Sequence, residues 1–346
     1  MTFPRGNGRS WTNSPRWGLL SLAVLLVLAG CSSGTGSGSQ VRQAQDTGPA
    51  DRPAAPRPGT TVVDLEFMYA YENERTAFYY PLEGLAGCTF GPEGTLIFCD
   101  EKRGKVFGLD PGVLVWYEFD IPAARPYRPL DVVVDGFKVL VMDSGSNKVF
   151  RFDLNGAWLD QVVDIRQVDP SHIPQVSSFA LDRDGRMLIA DVSQQQVLLL
   201  DTFFNLQMRV GTPGTLDDQF TDPSGIAFLP DGGFVVSDRG NRRLCHYGRL
   251  GFFEGTVGGD FEIDNPFILP QGVTSDKFGN VFVADQGNGR IHVLDRRLRP
   301  VPTIGDDFGL RGTPTAPVDV AVGPADILAV TDRARSAILV YRIIYE

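Results

Sequence analysis

Residues 222–244 read DPSGIAFLPDGGFVVSDRGNRRL, and this stretch decides the fold. A short apolar run, Ile226–Phe228, meets the turn sequence Leu-Pro-Asp-Gly-Gly. A second run, Phe234–Asp238, is apolar until it ends on Asp. Arg-Gly-Asn then supplies another turn, and a third run opens with Arg243. Runs of four to seven apolar residues bounded by Gly, Pro, Asn and Asp are strands.

The same grammar recurs along the chain. Apolar runs end at Asp100, Asp143, Asp191, Asp238, Asp285 and Asp332, which lie 43, 48, 47, 47 and 47 residues apart. A fourth run closes most units, as in VLVWYEF and LQMRV. Amphipathic helix periodicity is missing. Four antiparallel strands repeated six times predict an all-β, six-bladed β-propeller over residues 61–346. The sixth unit runs out of chain after three strands, whereas Thr61–Tyr69 is strand-like and precedes the first unit. The N-terminal strand is therefore expected to close the last blade and remove an open sheet edge.

The first sixty residues read differently. Arg5, Arg9 and Arg16 precede an apolar run from Trp17 to Leu28, too short to span a bilayer but of signal-peptide length. It ends in Leu28-Ala29-Gly30-Cys31, which resembles a bacterial lipobox. The resemblance implies a signal peptide over residues 1–30 and acylation of Cys31 by diacylglycerol and palmitate. Ser32, rather than Asp, follows the Cys, which suits the outer membrane better than the inner. Residues 31–60, rich in Gly, Ser, Pro and Ala, lack the apolar bulk to fold and read as a disordered tether.

The chain of 346 residues carries a formal net charge of −10, and the part after residue 60 is the acidic part. That argues against nucleic acid as a partner. Four Cys exclude a disulfide-dense scaffold, and three His leave little for a multi-His metal site. No P-loop, dinucleotide fingerprint, CxxCH, CxxC or GxSxG stands in a suitable context.

The stretch 222–244, with its lead-in Asp217–Phe220, resembles an NHL repeat. So does Pro270–Val273 through Val281–Asp285 to Asn288–Ile291. The resemblance implies an NHL, TolB-like propeller, a fold that serves many functions. Leu82-Glu83-Gly84, followed by residues 94–100 and 104–110, is similar to the first blade of gluconolactonase-like Ca²⁺ hydrolases, which implies Glu83 as a metal ligand. Ser224 stands where that family has Asn, and its later catalytic Asp has no convincing match.

Aligning the units places Glu83, Asp131, Ser177, Ser224, Gln271 and Asp319 in one ring at the start of the innermost strands. Glu83, Asp131, Gln271 and Asp319 are the candidate metal ligands, with Ca²⁺ the cation that oxygen donors suit. The favoured alternative is a wet polar channel mouth. The six recurrent Asp residues are expected to cap the turns that follow them. Cys88 is expected opposite Ile97, with Cys99 diagonal to it on the same face, so a disulfide and two buried thiols stay open. Trp116 and Trp158 are expected between blades. Arg239, Arg242, Arg243 and Arg249 read as turn residues paired with carboxylates. The expected function is binding of an envelope protein, peptide or glycan by a lipid-anchored disc, without a catalytic residue. The alternatives are a divalent-cation-dependent hydrolase of gluconolactonase type at the channel and an accessory lipoprotein of an outer-membrane complex.

Overall fold

A computed structural model describes residues 60–72, 81–110, 115–121, 127–259, 266–301 and 312–346. Cys31 and the signal and tether segments lie outside the described residues. The rest is a six-bladed β-propeller. The innermost strands of blades one to six are Leu85–Phe90, Pro129–Asp135, Val176–Leu181, Pro223–Phe228, Pro270–Ser275 and Pro317–Gly323. Each pairs antiparallel with a second strand that ends on a recurrent Asp, and each second strand with a third. Blades one to four add a fourth strand. In blade five the third strand, Arg290–Leu294, is followed by a single bridge from Leu294 to Pro300.

The sixth blade closes as the sequence predicts. Val62–Glu72 lies antiparallel to Ala337–Tyr345, from Val62 opposite Tyr345 to Glu72 opposite Ala337. The last three strands of the chain thus borrow their outer neighbour from its beginning.

Second strands such as Leu96–Asp100 and Val281–Asp285 are buried at every residue. A strand's side chains alternate between faces, and both faces of a blade pack on a neighbouring blade. Six apolar clusters result, one at each interface. Leu96 and Phe98 face blade six, whereas Ile97 and Cys99 face blade two. Trp116 bridges blades one and six, its ring 5.6 Å from Phe98 and 5.5 Å from Tyr71. Trp158 instead is exposed near a hairpin turn, so it fills no gap between blades.

Blade one also corrects the cysteine geometry. Cys88 lies opposite Phe98 and Thr89 opposite Ile97, because the turn closes between Gly91 and Thr95, with Phe90 paired to Leu96. Cys88 therefore faces blade six and Cys99 faces blade two. Opposite faces of one sheet exclude a bridge. Both thiols, like Cys245, are free and buried.

Candidate functional site: an axial funnel

The innermost strands begin on one face of the ring, here the mouth face. The turns from the first to the second strand and from the third to the fourth lie on the opposite, hairpin face, whereas the turn from the second to the third strand returns to the mouth. Every innermost strand carries a register shift just after its first residue: Leu85/Cys88, Pro129/Asp131, Val176/Ser178, Pro223/Ile226, Pro270/Val273 and Pro317/Asp319. A bulge re-aims side chains. Here two consecutive residues of each strand reach the axis, and they build a stepped funnel of about 360 Å³.

The rim comes from residues directly after the recurrent Asp: Glu101, Ser144, Val192, Arg239 and Arg333, joined by Arg128. The rim charges are paired. Arg128 sits 2.5 Å and Arg333 3.8 Å from Glu101, and Arg239 sits 2.6 Å from Asp222. The next step down is Ala86, Leu130, Ser177, Ser224, Gln271 and Val318. Ser177 donates to the Pro223 carbonyl at 2.7 Å and Ser224 to that of Pro270 at 3.1 Å. The neck is Gly87, Asp131, Ser178, Gly225, Gly272 and Asp319. Its glycines are steric necessities. A Cβ on Gly87 would stand 2.4 Å from the Asp131 carboxylate, one on Gly225 2.2 Å from the Gln271 carbonyl, and one on Gly272 2.2 Å from the Asp319 carboxylate. Below the neck a second cavity of about 200 Å³ opens among Val132, Phe179, Ile226 and Val320, and Asp131 and Asp319 line it too.

Each neck carboxylate reaches into the next blade. Asp131 accepts from the Ser178 hydroxyl at 2.8 Å and the Phe179 amide at 3.0 Å. Asp319 accepts from the Cys88 amide at 2.8 Å. Burial raises the pKa of both. The nearby Asp131 charge adds to the rise at Asp319, which reaches about 8. Close like charges in a poorly solvated site favour holding a proton. Burial, reinforced by these carboxylates, also lifts the Cys88 thiol well above its ordinary range.

A pH dependence follows. The unfolded chain releases the Asp319 proton near pH 4, whereas the folded chain holds it to about 8. Between those values the folded state binds the extra proton, so stability should fall as pH rises through the window and level off above it. Both carboxylates line the funnel and the cavity below it, so access to solvent discounts the full shift and we expect a loss on the order of 1–3 kcal/mol. Asp319→Asn should flatten most of the slope. Urea unfolding at about pH 5 and about pH 9 checks this; parallel wild-type and mutant profiles would refute it.

The structure divides the ring read from the sequence. Asp131 and Asp319 stand at the neck, and Ser177, Ser224 and Gln271 one step above. Glu83 is elsewhere, with its side chain 53% exposed and ion-paired to Arg103 at 2.6 Å. The reason is a doubled triplet, Leu82-Glu83-Gly84-Leu85-Ala86-Gly87. Leu85 pairs with Asp100 as Pro223 pairs with Asp238 and Pro270 with Asp285. Leu85-Ala86-Gly87 is thus the true counterpart of Pro223-Ser-Gly and Pro270-Gln-Gly, and blade one brings Ala86, not Glu83, to the axis. The donors that remain fit Ca²⁺ poorly: two carboxylates already engaged by amides or a hydroxyl, and Gln271, whose Nε2 donates to Gln286 at 2.5 Å. Calcium takes six to eight oxygens. No group of three or more His, Cys, Asp or Glu is gathered among the described residues.

The six recurrent Asp residues are buried. Asp100, Asp143, Asp191, Asp285 and Asp332 accept backbone amides of the following turn, from Arg103, Ser146, Ser193, Gly287 and Arg335, whereas Asp238 holds its turn through the Asn241 side chain instead. They also reach back to the segment that leads into their own blade. Asp100 accepts from Glu83 and Gly84, Asp143 from Arg128, Asp191 from Gln175, Asp238 from Thr221 and Asp222, Asp285 from Ile268 and Leu269, and Asp332 from Thr315 and Ala316. The Asp191 carboxylate accepts from His172 Nε2 at 2.5 Å and His292 Nε2 lies 3.3 Å from Asp285, so these rings serve the same clasps. Arg243 is buried against Asp238 and Arg249 pairs with Asp184.

Fold and site together define a six-bladed β-propeller with a polar, stepped axial funnel. It carries an NHL repeat: the model of that family matches residues 220–247. No curated protein sequence matches the chain. Many solved structures share the fold. A streptogramin B lyase is 14% identical, with 80% of this chain and 97% of that one covered and a TM-score of 0.59. A gluconolactonase from Xanthomonas campestris is 16% identical, with 84% and 99% covered and a TM-score of 0.59. A calcium-binding regucalcin from Agrobacterium tumefaciens is 14% identical, with 83% and 100% covered and a TM-score of 0.58. At such identities the likeness extends to the fold and not to the chemistry.

Proposed function

We propose that this protein is a lipid-anchored binding protein of the bacterial envelope, held at the outer membrane through Cys31, whose funnel takes a polar protrusion of a protein, peptide or glycan. One observation carries the choice of binding over hydrolysis. The funnel's reactive groups are already engaged: Ser177 and Ser224 donate to backbone carbonyls, Ser178 donates to Asp131, and Asp131 and Asp319 accept from neighbouring strands, with burial raising the pKa of both. Ser177 and Ser224 are aimed at carbonyls rather than at a base, Asp131 is shared between the Ser178 hydroxyl and the Phe179 amide, and the carboxylate that the gluconolactonase resemblance requires in blade one is replaced at the axis by Ala86. What remains is a rigid concave surface with polar steps and paired rim charges, which suits recognition.

A photoreactive residue in place of Gln175, at the funnel mouth, should give one stoichiometric adduct in living cells, and Arg239→Glu should diminish it. The competing reading is a cation-dependent hydrolase. Calcium-dependent lactone opening by the purified chain, abolished by Asp319→Asn, would establish that reading instead.

The anchor is tested separately. Cys31→Ser should remove all incorporation of radiolabelled palmitate and shift the protein out of the membrane fraction or leave it uncleaved, since the thioether needs that thiol. Label persisting in the mutant would end the lipobox reading.

A further inference from the structure

The face opposite the funnel carries an apolar feature that neither core nor funnel uses. Among the described residues, the strongly exposed phenylalanines are Phe137, Phe203 and Phe252, exposed by 79%, 82% and 69%, and Leu250 stands beside Phe252 at 69%. All four sit in hairpin turns of blades two, three and four. The turns themselves push these side chains outward. The Asp201 carboxylate accepts the amides of Phe203 and Asn205, each at 2.9 Å, which turns the polar groups inward and leaves the ring at the tip. Leu250 and Phe252 flank Gly251, whose positive φ of 79° lets the turn close on Gly248. Among the described residues, the mouth face bears exposed aliphatic residues, Ile173, Leu216 and Ile268, but no comparably exposed ring.

The chain also enters the propeller on the hairpin face. Thr61 exchanges backbone hydrogen bonds with Glu346, and Asn280, in the first hairpin of blade five, donates to the Thr60 carbonyl at 2.8 Å. A tether running from Cys31 to Thr60 is thus attached to the side that bears the phenylalanines.

We propose that the hairpin face lies on the bilayer that holds Cys31, with Phe137, Phe203, Leu250 and Phe252 seated at the boundary between headgroups and acyl chains, so that the funnel points away from the membrane. The proposal rests on Cys31 as the point of anchorage. Aromatic and leucine tips suit that boundary. Two charge pairs lie nearby, Arg249 with Asp184 at 3.0 Å and Lys277 with Asp326 at 2.9 Å, so these carboxylates do not stand bare against lipid phosphates. Tethering through about 30 residues gives the face an effective concentration of about millimolar against its own membrane, so a weak intrinsic affinity is enough. The hairpin face settles while the funnel stays free for its ligand.

The test uses the mature chain, residues 31–346, coupled through Cys31 to maleimide-bearing vesicles of phosphatidylethanolamine and phosphatidylglycerol. Cys88, Cys99 and Cys245 are buried, which directs the coupling. Phe203→Trp and Phe252→Trp report on the hairpin face, and Ile173→Trp on the mouth face, each read against the parent fluorescence. With brominated acyl chains, the added emission at 203 and 252 should fall about twofold or more, and that at 173 should stay unchanged. Unquenched reporters at 203 and 252, or equal quenching on both faces, would overturn the proposal. Because the attachment is chemical, this result does not depend on cells acylating Cys31. The palmitate experiment reads that step alone.

Discussion

A chain lacking residues 61–72 is expected to lose its cooperative melting transition, although it keeps every residue of the five blades before the last. Val62–Glu72 is the outer strand of blade six, paired along Ala337–Tyr345. Val62 and Leu65 are fully buried in the interface with blade five, and Phe67 packs beside them with its ring 5.8 Å from Tyr341. At the other end Tyr71 meets Trp116 of blade one. Two buried aliphatic side chains contribute about 1.5–3 kcal/mol each. With the half-buried aromatics and the ladder hydrogen bonds, the loss is on the order of 5 kcal/mol or more. That rivals the 5–15 kcal/mol or so that separates a folded domain from its unfolded chain. The deletion also leaves Ala337–Tyr345 as an unpaired edge, a template for association. Deleting residues 35–55 should leave melting nearly unchanged, because a tether adds nothing to the core. Calorimetry on the two deletions decides the matter, and equal melting temperatures would refute a stabilising role for the closing strand.

The ring and its closure were legible because each rests on local signals that repeat. Turn residues, apolar runs and a terminal Asp recur at one spacing, and a missing last strand is visible as a shortage of chain. The funnel was legible only in part. Ser177, Ser224 and Gln271 stand on the upper step of the funnel in their blades, whereas Asp131 and Asp319 occupy the following position, at the neck. An alignment that allows one axial residue per strand mixes the two steps, because a bulge that turns two neighbours inward leaves no mark in the sequence. Glu83 was misplaced by a different cause, the tandem Leu-x-Gly triplets, which only strand pairing separates. The rim was missed although its signal is simple: Glu101, Ser144, Val192, Arg239 and Arg333 each follow a recurrent Asp. The Asp itself drew attention, and the clasp it makes to the segment before its blade spans 15–17 residues of sequence, beyond any turn pattern.

Those clasps yield the second large effect. Asp238→Ala should destabilise the protein by about 3–5 kcal/mol, the usual loss when one partner of a buried charge pair is removed. One Asp238 oxygen accepts from the Thr221 amide at 2.9 Å and the Asp222 amide at 3.3 Å, and the other from Asn241 at 2.6 Å and Arg243 at 3.1 Å. Alanine at this buried position would leave these donors without their acceptor at once. Arg243 itself holds the mouth loop through the carbonyls of Leu216 and Gln219, each at 2.8 Å, and Asn241 holds that of Gly214 at 2.9 Å. The Asp-Arg-Gly-Asn-Arg-Arg sequence that marks the repeat is thus a clasp, in which Asp238 orients the two side chains that fasten the loop from blade three. Asp238→Asn keeps the size and one acceptor but turns an amide toward donors, so it should cost less than alanine and more than a surface change. Glu83→Gln, which weakens an exposed ion pair, should stay within about 1 kcal/mol. Urea midpoints for the three variants should fall in that order. If Asp238→Ala melted with Glu83→Gln, the carboxylate would be a passenger of the turn, and the stability of the ring would rest on its six apolar interfaces alone.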